Sequence, residues 1–182
     1  MKPVSLFAVL LVCSLFCASC SFHCQVGNPV AEEKEKPRNK EGMLLYNGIA
    51  LSARDVKVEK AYLVTNDEQT ERIAEDNIID PEKGARLILL IREGWKETEG
   101  RVWLGASLRV NAADGQKVLD EEDLFAHTDA EGLDAEDARV IGLSVSFKTG
   151  SATKAGAYDV QFKVWDKKGR ASLEGSYKLI TR

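Results

Sequence analysis

From Met43 to the end of the chain, apolar and polar side chains alternate with a period of two, and no other feature restricts the fold so strongly. In RVWLGASLRV, residues 101–110, Val102, Leu104, Ala106, Leu108 and Val110 share one parity, with Arg101, Trp103, Ser107 and Arg109 on the other. VIGLSVSF (140–147) sets Ile141, Leu143, Val145 and Phe147 against glycine and serines, and YDVQFKVW (158–165) sets Tyr158, Val160, Phe162 and Val164 against Asp159, Gln161, Lys163 and Trp165. SLEGSYKLI (172–180) continues with Leu173, Tyr177 and Leu179, and VKVEKAYLV (56–64) groups Val56, Val58, Tyr62 and Val64. Successive side chains of a strand point to opposite sides of a sheet, so each segment predicts a strand with one dry face. RLILLIR (86–92) is apolar on both parities, as expected of a strand covered on both faces or bulged in the middle.

Turn chemistry falls between these segments. Asp80-Pro81-Glu82-Lys83-Gly84 precedes the third strand, Asp114-Gly115 closes the fourth, and Asp166-Lys167-Lys168-Gly169 joins two strands as a hairpin. Counting MLLYNGIAL (43–51) as the weakest, about seven antiparallel strands result, and stacking two sheets buries their dry faces with the least chain. The expected fold is therefore an all-β, immunoglobulin-like antiparallel β-sandwich, like that class in architecture only, since the cysteine-tryptophan-cysteine hallmark is absent. The stretch 118–140 breaks the alternation and predicts an inter-sheet connection with one or two short helical turns. Asp120 caps the first, Asp134 opens the second, and Leu124, Phe125 and Leu133 are the anchors.

All four cysteines, Cys13, Cys17, Cys20 and Cys24, lie in the first 24 residues, which excludes a disulfide framework for the folded part. Lys2 and the apolar run Val4 to Ala18 have the length of a secretory leader and are short for a membrane span. Only Cys20 follows small residues, Ala18 and Ser19, suited to signal cleavage. In these residues the chain resembles bacterial lipoprotein precursors, in which an aliphatic residue and two small residues precede the cysteine that receives diacylglycerol. Cys17 occupies the aliphatic position, a relaxed pattern commonest in lipoproteins of the Bacteroidota type. The resemblance implies a signal peptide at 1–19, lipidation of Cys20 and an outer-membrane location, because Ser21 is not the aspartate that would retain such a protein at the inner membrane. The alternative on the same residues is plain secretion with cleavage near Ser19 or Ser21. Residues 20–42, with two prolines and alternating charges after Gln25, read as a flexible tether, and 43–182 as the sandwich domain.

Net charge is −4, and −5 once a leader containing Lys2 is removed, which argues against a nucleic-acid partner held by a basic face. His23 and His127 are the only histidines; the domain therefore lacks the ligands for a zinc site, and His127 sits in no recognisable nucleophile motif. No cofactor signature is present. Nine acidic residues between Asp120 and Asp137 invite a calcium loop, but Gly132 falls at the wrong position for an EF-hand. Aromatic placement is more informative. By parity Trp103 and Trp165 lie on the polar faces of their strands, near Arg101, Arg109, Gln161 and Lys163, and Trp95 is a weaker third member of that surface. Exposed indoles beside polar groups suit sugar rings; the competing reading is that loops or a bulge near Gly105 cover them. The sequence thus points to a non-enzymatic, lipid-anchored envelope module that binds a protein or a glycan.

Overall fold

The computed structural model describes residues 38–147 and 155–182, so the leader, Cys20, Cys24, His23 and most of the expected tether lie outside the described residues. Among the described residues twelve strands form in chain order: β1 (Leu44–Leu45), β2 (Ala50–Arg54), β3 (Lys57–Thr65), β4 (Ile78–Ile79), β5 (Ala85–Glu93), β6 (Arg101–Val102), β7 (Leu104–Ala112), β8 (Lys117–Glu121), β9 (Leu133–Asp134), β10 (Val140–Val145), β11 (Gly156–Asp166) and β12 (Ser172–Thr181). One sheet has the order β1-β3-β5-β10; the larger runs β2-β12-β11-β7-β8, with β4 added beside β12. The pairing is antiparallel throughout the long strands, and the short β1 and β4 pair parallel to β3 and β12. The protein is an all-β sandwich of mainly antiparallel sheets, as the alternation predicts.

One apolar cluster holds it together, drawn from the inward residues of both sheets. Leu87, Leu89 and Ile91 of β5, Leu104, Ala106, Leu108 and Val110 of β7, and Val160, Phe162 and Val164 of β11 are all buried. Each such leucine, valine or phenylalanine contributes about 1.5–3 kcal/mol on leaving water. The doubly apolar segment 86–92 is covered on one side only. Leu87, Leu89 and Ile91 face the core, while Ile88 and Leu90 lie half-buried on the outer face.

Three segments depart from the sequence reading. MLLYNGIAL is not one strand: Asn47 and Gly48, at φ 57° and 62°, form a turn closed by the Ile49 amide donating to the Tyr46 carbonyl at 3.0 Å. Left-handed backbone at two successive residues suits Asn-Gly and splits the segment, so β1 joins one sheet and β2 the other. In β3 the predicted parity fails after Val58, because Val58 opposes Ile91 and Lys60 opposes Leu90, leaving Glu59 as an extra residue. That bulge turns Ala61 and Leu63 inward and puts Tyr62 on the outer face. Residues 117–121, assigned largely to a connection, form β8 instead, with Asp120 opposite Arg109. Asp120 therefore caps no helix. The short helical turn Ala126–Thr128 starts at Phe125 with no side-chain cap, and just ahead of it Asp123 Oδ1 accepts from the Phe125 amide at 3.0 Å and the Ala106 amide at 3.2 Å. The second turn, Asp137–Arg139, lies where predicted, and Asp134 Oδ1 accepts from the Glu136 amide at 2.9 Å. Leu124, Phe125 and Leu133 all pack against the core.

Polar contacts fix the sandwich ends. Asn47 is buried, and its Nδ2 donates to the Ile73 and Ala74 carbonyls and to Asn77 Oδ1, each at 3.0 Å. Asn77 Nδ2 donates in turn to the carbonyls of Asn47 and Lys178, both at 2.8 Å. Just after β3, Asp67 accepts from Thr65 Oγ1 at 2.7 Å and the Thr70 amide at 3.1 Å, with Lys83 Nζ 3.1 Å away. The Thr65 hydroxyl first, then Lys83 and the Thr70 amide, bring its carboxyl down from 3.8 to about 2. A depressed carboxyl contributes stability that is fully present above its unfolded value and is lost as pH falls through the folded one. Asp67→Asn should therefore flatten the decline in thermal stability between pH 3.8 and about 2, as read from Tm in that window, whereas the wild-type chain loses stability there.

Candidate functional site

The outer face of the larger sheet carries the candidate site, and strand pairing builds it row by row. Gly105, Trp165, Ser172 and Arg54 stand opposite one another across β7, β11, β12 and β2. The next row is Ser107, Lys163, Glu174 and Ser52, and the third is Asp120, Arg109, Gln161 and Ser176. Small serines make the floor, longer polar side chains rise from it, and a single indole stands at one end. Two open depressions meet at that indole. One of about 580 Å³ extends along Ser107, Arg109, Gln161 and Glu174, and one of about 760 Å³ opens between Arg54, Lys163, Arg170 and Ser172; Trp165 lines both.

Trp165 owes its position to the residue across the strand. A Cβ at Gly105 would come within 2.2 Å of the Trp165 ring, so only glycine leaves room for the indole to lie flat over the neighbouring strand. The ring is half-buried on one side by this contact and keeps the other toward the two depressions. No bulge forms at Gly105, since Gly105 pairs directly with Trp165, and the predicted outward parity of Trp165 holds.

The other two tryptophans are occupied differently. Trp103 lies in the break between β6 and β7, where its Nε1 donates to the Asp129 carbonyl at 3.2 Å, its ring packs on the Gly132 backbone, and the Lys168 ammonium sits over it. Lys167, from the same hairpin, bridges Asp123 and Asp129, so the 123–132 loop is pinned over Trp103. Trp95 donates from Nε1 to the Ala138 carbonyl at 3.3 Å and packs against the core beside the second helical turn. Neither lines the two depressions. The three indoles therefore do not form one surface, and loop cover accounts for Trp103 and Trp95.

Of the polar residues near the tryptophans in sequence, Arg109, Gln161 and Lys163 join the face and Arg101 does not, because Arg101 belongs to the separate β6-β9 pair. Ser172, Glu174 and Ser176 follow from the parity of β12, whereas Arg54 depends on β2 pairing with β12, which no local pattern announces. His127 is exposed in its helical turn. The acidic stretch is divided among separate partners: Asp120 meets Arg109 and Lys117, Asp123 and Asp129 meet Lys167, and Glu136 meets Arg139. Among the described residues no three His, Cys, Asp or Glu side chains converge as metal ligands. Arg109 and Lys117 hold the Asp120 carboxyl below its ordinary value, Lys117 contributing most through its hydrogen bond.

Comparison with protein-family models, curated proteins and solved structures finds no match. What defines the class is thus the molecule itself, an antiparallel sandwich with a polar outer groove at one tryptophan. The unequal roles of the indoles yield a first test. Trp103→Ala should lower stability by about 2 kcal/mol, combining lost burial and one lost hydrogen bond, and shift the denaturant midpoint accordingly.

Proposed function

We propose that the protein is a non-enzymatic, lipid-anchored module of the cell envelope, held at the outer membrane through Cys20, and that it binds its partner on the outer face of the larger sheet. The observation that carries this reading is Trp165, an indole with one face supported by Gly105 and the other turned to a polar groove. A half-buried indole on the wet side of a sheet lies outside the core, and polar groups at strand spacing around it can bond a ligand's hydroxyls. Among binding modules, Trp165 with Gln161, Ser107, Ser176 and Glu174 favours a carbohydrate over a protein partner, because a flat ring beside short hydroxyl and amide groups matches a pyranose. The broader reading, an accessory module contacting another envelope protein, uses the same face.

Glycan oligomers should quench tryptophan fluorescence of the full chain, and Trp165→Leu should abolish the response. Leucine keeps apolar cover over Gly105, so the variant's Tm should stay close to wild type; Trp103→Phe, where the ring is covered, should leave quenching intact. A response that survives Trp165→Leu sinks the carbohydrate reading. For the anchor, Cys20→Ala should move the mature protein from the membrane to the soluble fraction and remove acyl labelling, since stable anchoring rests on the acyl chains at about 0.8 kcal/mol per buried methylene.

A further inference from the structure

The depression on the hairpin side of Trp165 has a charge pattern that a neutral sugar does not need. Arg54, Lys163 and Arg170 all line it, all three are exposed, and among the described residues none of them forms an ion pair or side-chain hydrogen bond. Elsewhere on the same face the cations are spent: Arg109 and Lys117 both engage Asp120, and Lys178 engages Asp159. The carboxylates near the depression do not neutralise it in the same way. Asp166 is buried and committed to the backbone, its Oδ2 accepting from the Lys96 amide at 2.6 Å and its Oδ1 from the Lys168 amide at 2.9 Å. Asp55 sits at the rim beside Arg54, and Glu174, although opposite Lys163 in the ladder, makes no ion pair with it.

Distances within the sheet make the grouping useful. Arg54 is two strands from Trp165 across Ser172, or about 10 Å between backbones, and Lys163 is two residues back along β11, about 7 Å away. Arg170 comes from the other side, off the β11-β12 hairpin. A sugar ring stacked on the indole would therefore have cations on three sides within side-chain reach. Clustered exposed cations contribute little to stability and repel one another slightly, so the fold itself gives no reason for them. In a chain of net charge −4 such a cluster runs against the overall balance.

We propose that the ligand at Trp165 is an anionic saccharide, a chain carrying carboxylate or sulfate groups, with the indole taking a ring face and Arg54, Lys163 and Arg170 taking its charges. Guanidinium groups match such oxyanions in paired geometry, which gives two of the three cations the better fit. This inference rests on the carbohydrate reading of the same face and specifies the ligand class within it.

The test is a titration of the full chain, followed by tryptophan fluorescence and calorimetry, with oligogalacturonate, a sulfated oligosaccharide, a neutral oligosaccharide of equal length and inorganic sulfate. At least one acidic oligomer should bind about tenfold or more tightly than the neutral one, and its affinity should fall as salt rises from about 50 to about 500 mM. Arg54→Gln with Arg170→Gln should remove that preference with Tm unchanged, and Trp165→Leu should remove binding altogether. Equal binding of neutral and acidic oligomers overturns the anionic assignment while leaving the carbohydrate reading in place. Inorganic sulfate competing as well as the oligomers at equal charge, with Trp165→Leu silent, overturns the assignment too, since the sugar ring would contribute nothing. Absence of a response to every oligosaccharide overturns both.

Discussion

Register along β11 is the constraint on which the rest of this molecule depends. It pairs along both edges, residues 156–165 with β12 and residues 158–166 with β7. Tyr158, Val160, Phe162 and Val164 go into the core, which leaves Gln161, Lys163 and Trp165 outside. A slip of one residue would exchange Val164 for Trp165 and bury a lysine, so hydrophobic burial and the composition of the outer groove are fixed by the same event. Energy that stabilises the fold thereby positions Gln161, Lys163 and Trp165.

A second constraint acts where the chain crosses from one sheet to the other. Asn47 and Asn77 both take left-handed backbone and both place their amides in a nearly water-free space between the first turn, the 73–77 segment and β12. Every described polar atom of these two side chains has a partner: Asn47 Oδ1 accepts from the Leu63 amide at 3.0 Å, and Asn77 Oδ1 accepts from Asn47 Nδ2. Buried amides satisfied in this way add only about 1 kcal/mol per bond, yet any alternative path for the chain would leave them orphaned at greater cost. The clasp therefore selects one crossing over others, which an apolar contact of equal energy would not do.

Much of this was readable from residues alone, and the failures have specific causes. The dry faces of β7, β10, β11 and β12 followed from side-chain alternation because those strands are unbulged over the residues considered. In β3 the same rule placed Tyr62 inward, and the extra residue Glu59 reversed it; a bulge is a pairing event and leaves little trace in a single strand. β8 was hidden because KVLDE lies at a sheet edge with its side chains mostly exposed, so it lacks the apolar face that alternation detects. The Asn47-Gly48 turn did carry a local signal, an Asn-Gly pair, but apolar residues on both sides made it resemble the interior of a strand. For the site, parity brought out Trp165, Arg109, Gln161 and Lys163, while the separation of Trp165 from Trp103 and Trp95 depended on loop packing. Arg54 and Arg170 joined the site only through pairing of β2 and through the hairpin, which are long-range facts.

The shape of the groove also limits what it can hold. Its floor is a continuous sheet lined by serines and its walls are side chains, so it stays open along its length. A small molecule there would keep much of its surface in water and gain little, since sites that bind small ligands tightly bury most of them. An extended chain lying across the strands can instead meet the indole, the serine floor and the outer polar rows together, each contact adding to the others. Because backbone and indole are already fixed by the fold, binding orders only the long side chains, at about 0.5–1.5 kcal/mol each. The shape of the groove therefore suits an extended chain held by several shallow contacts better than a compact ligand.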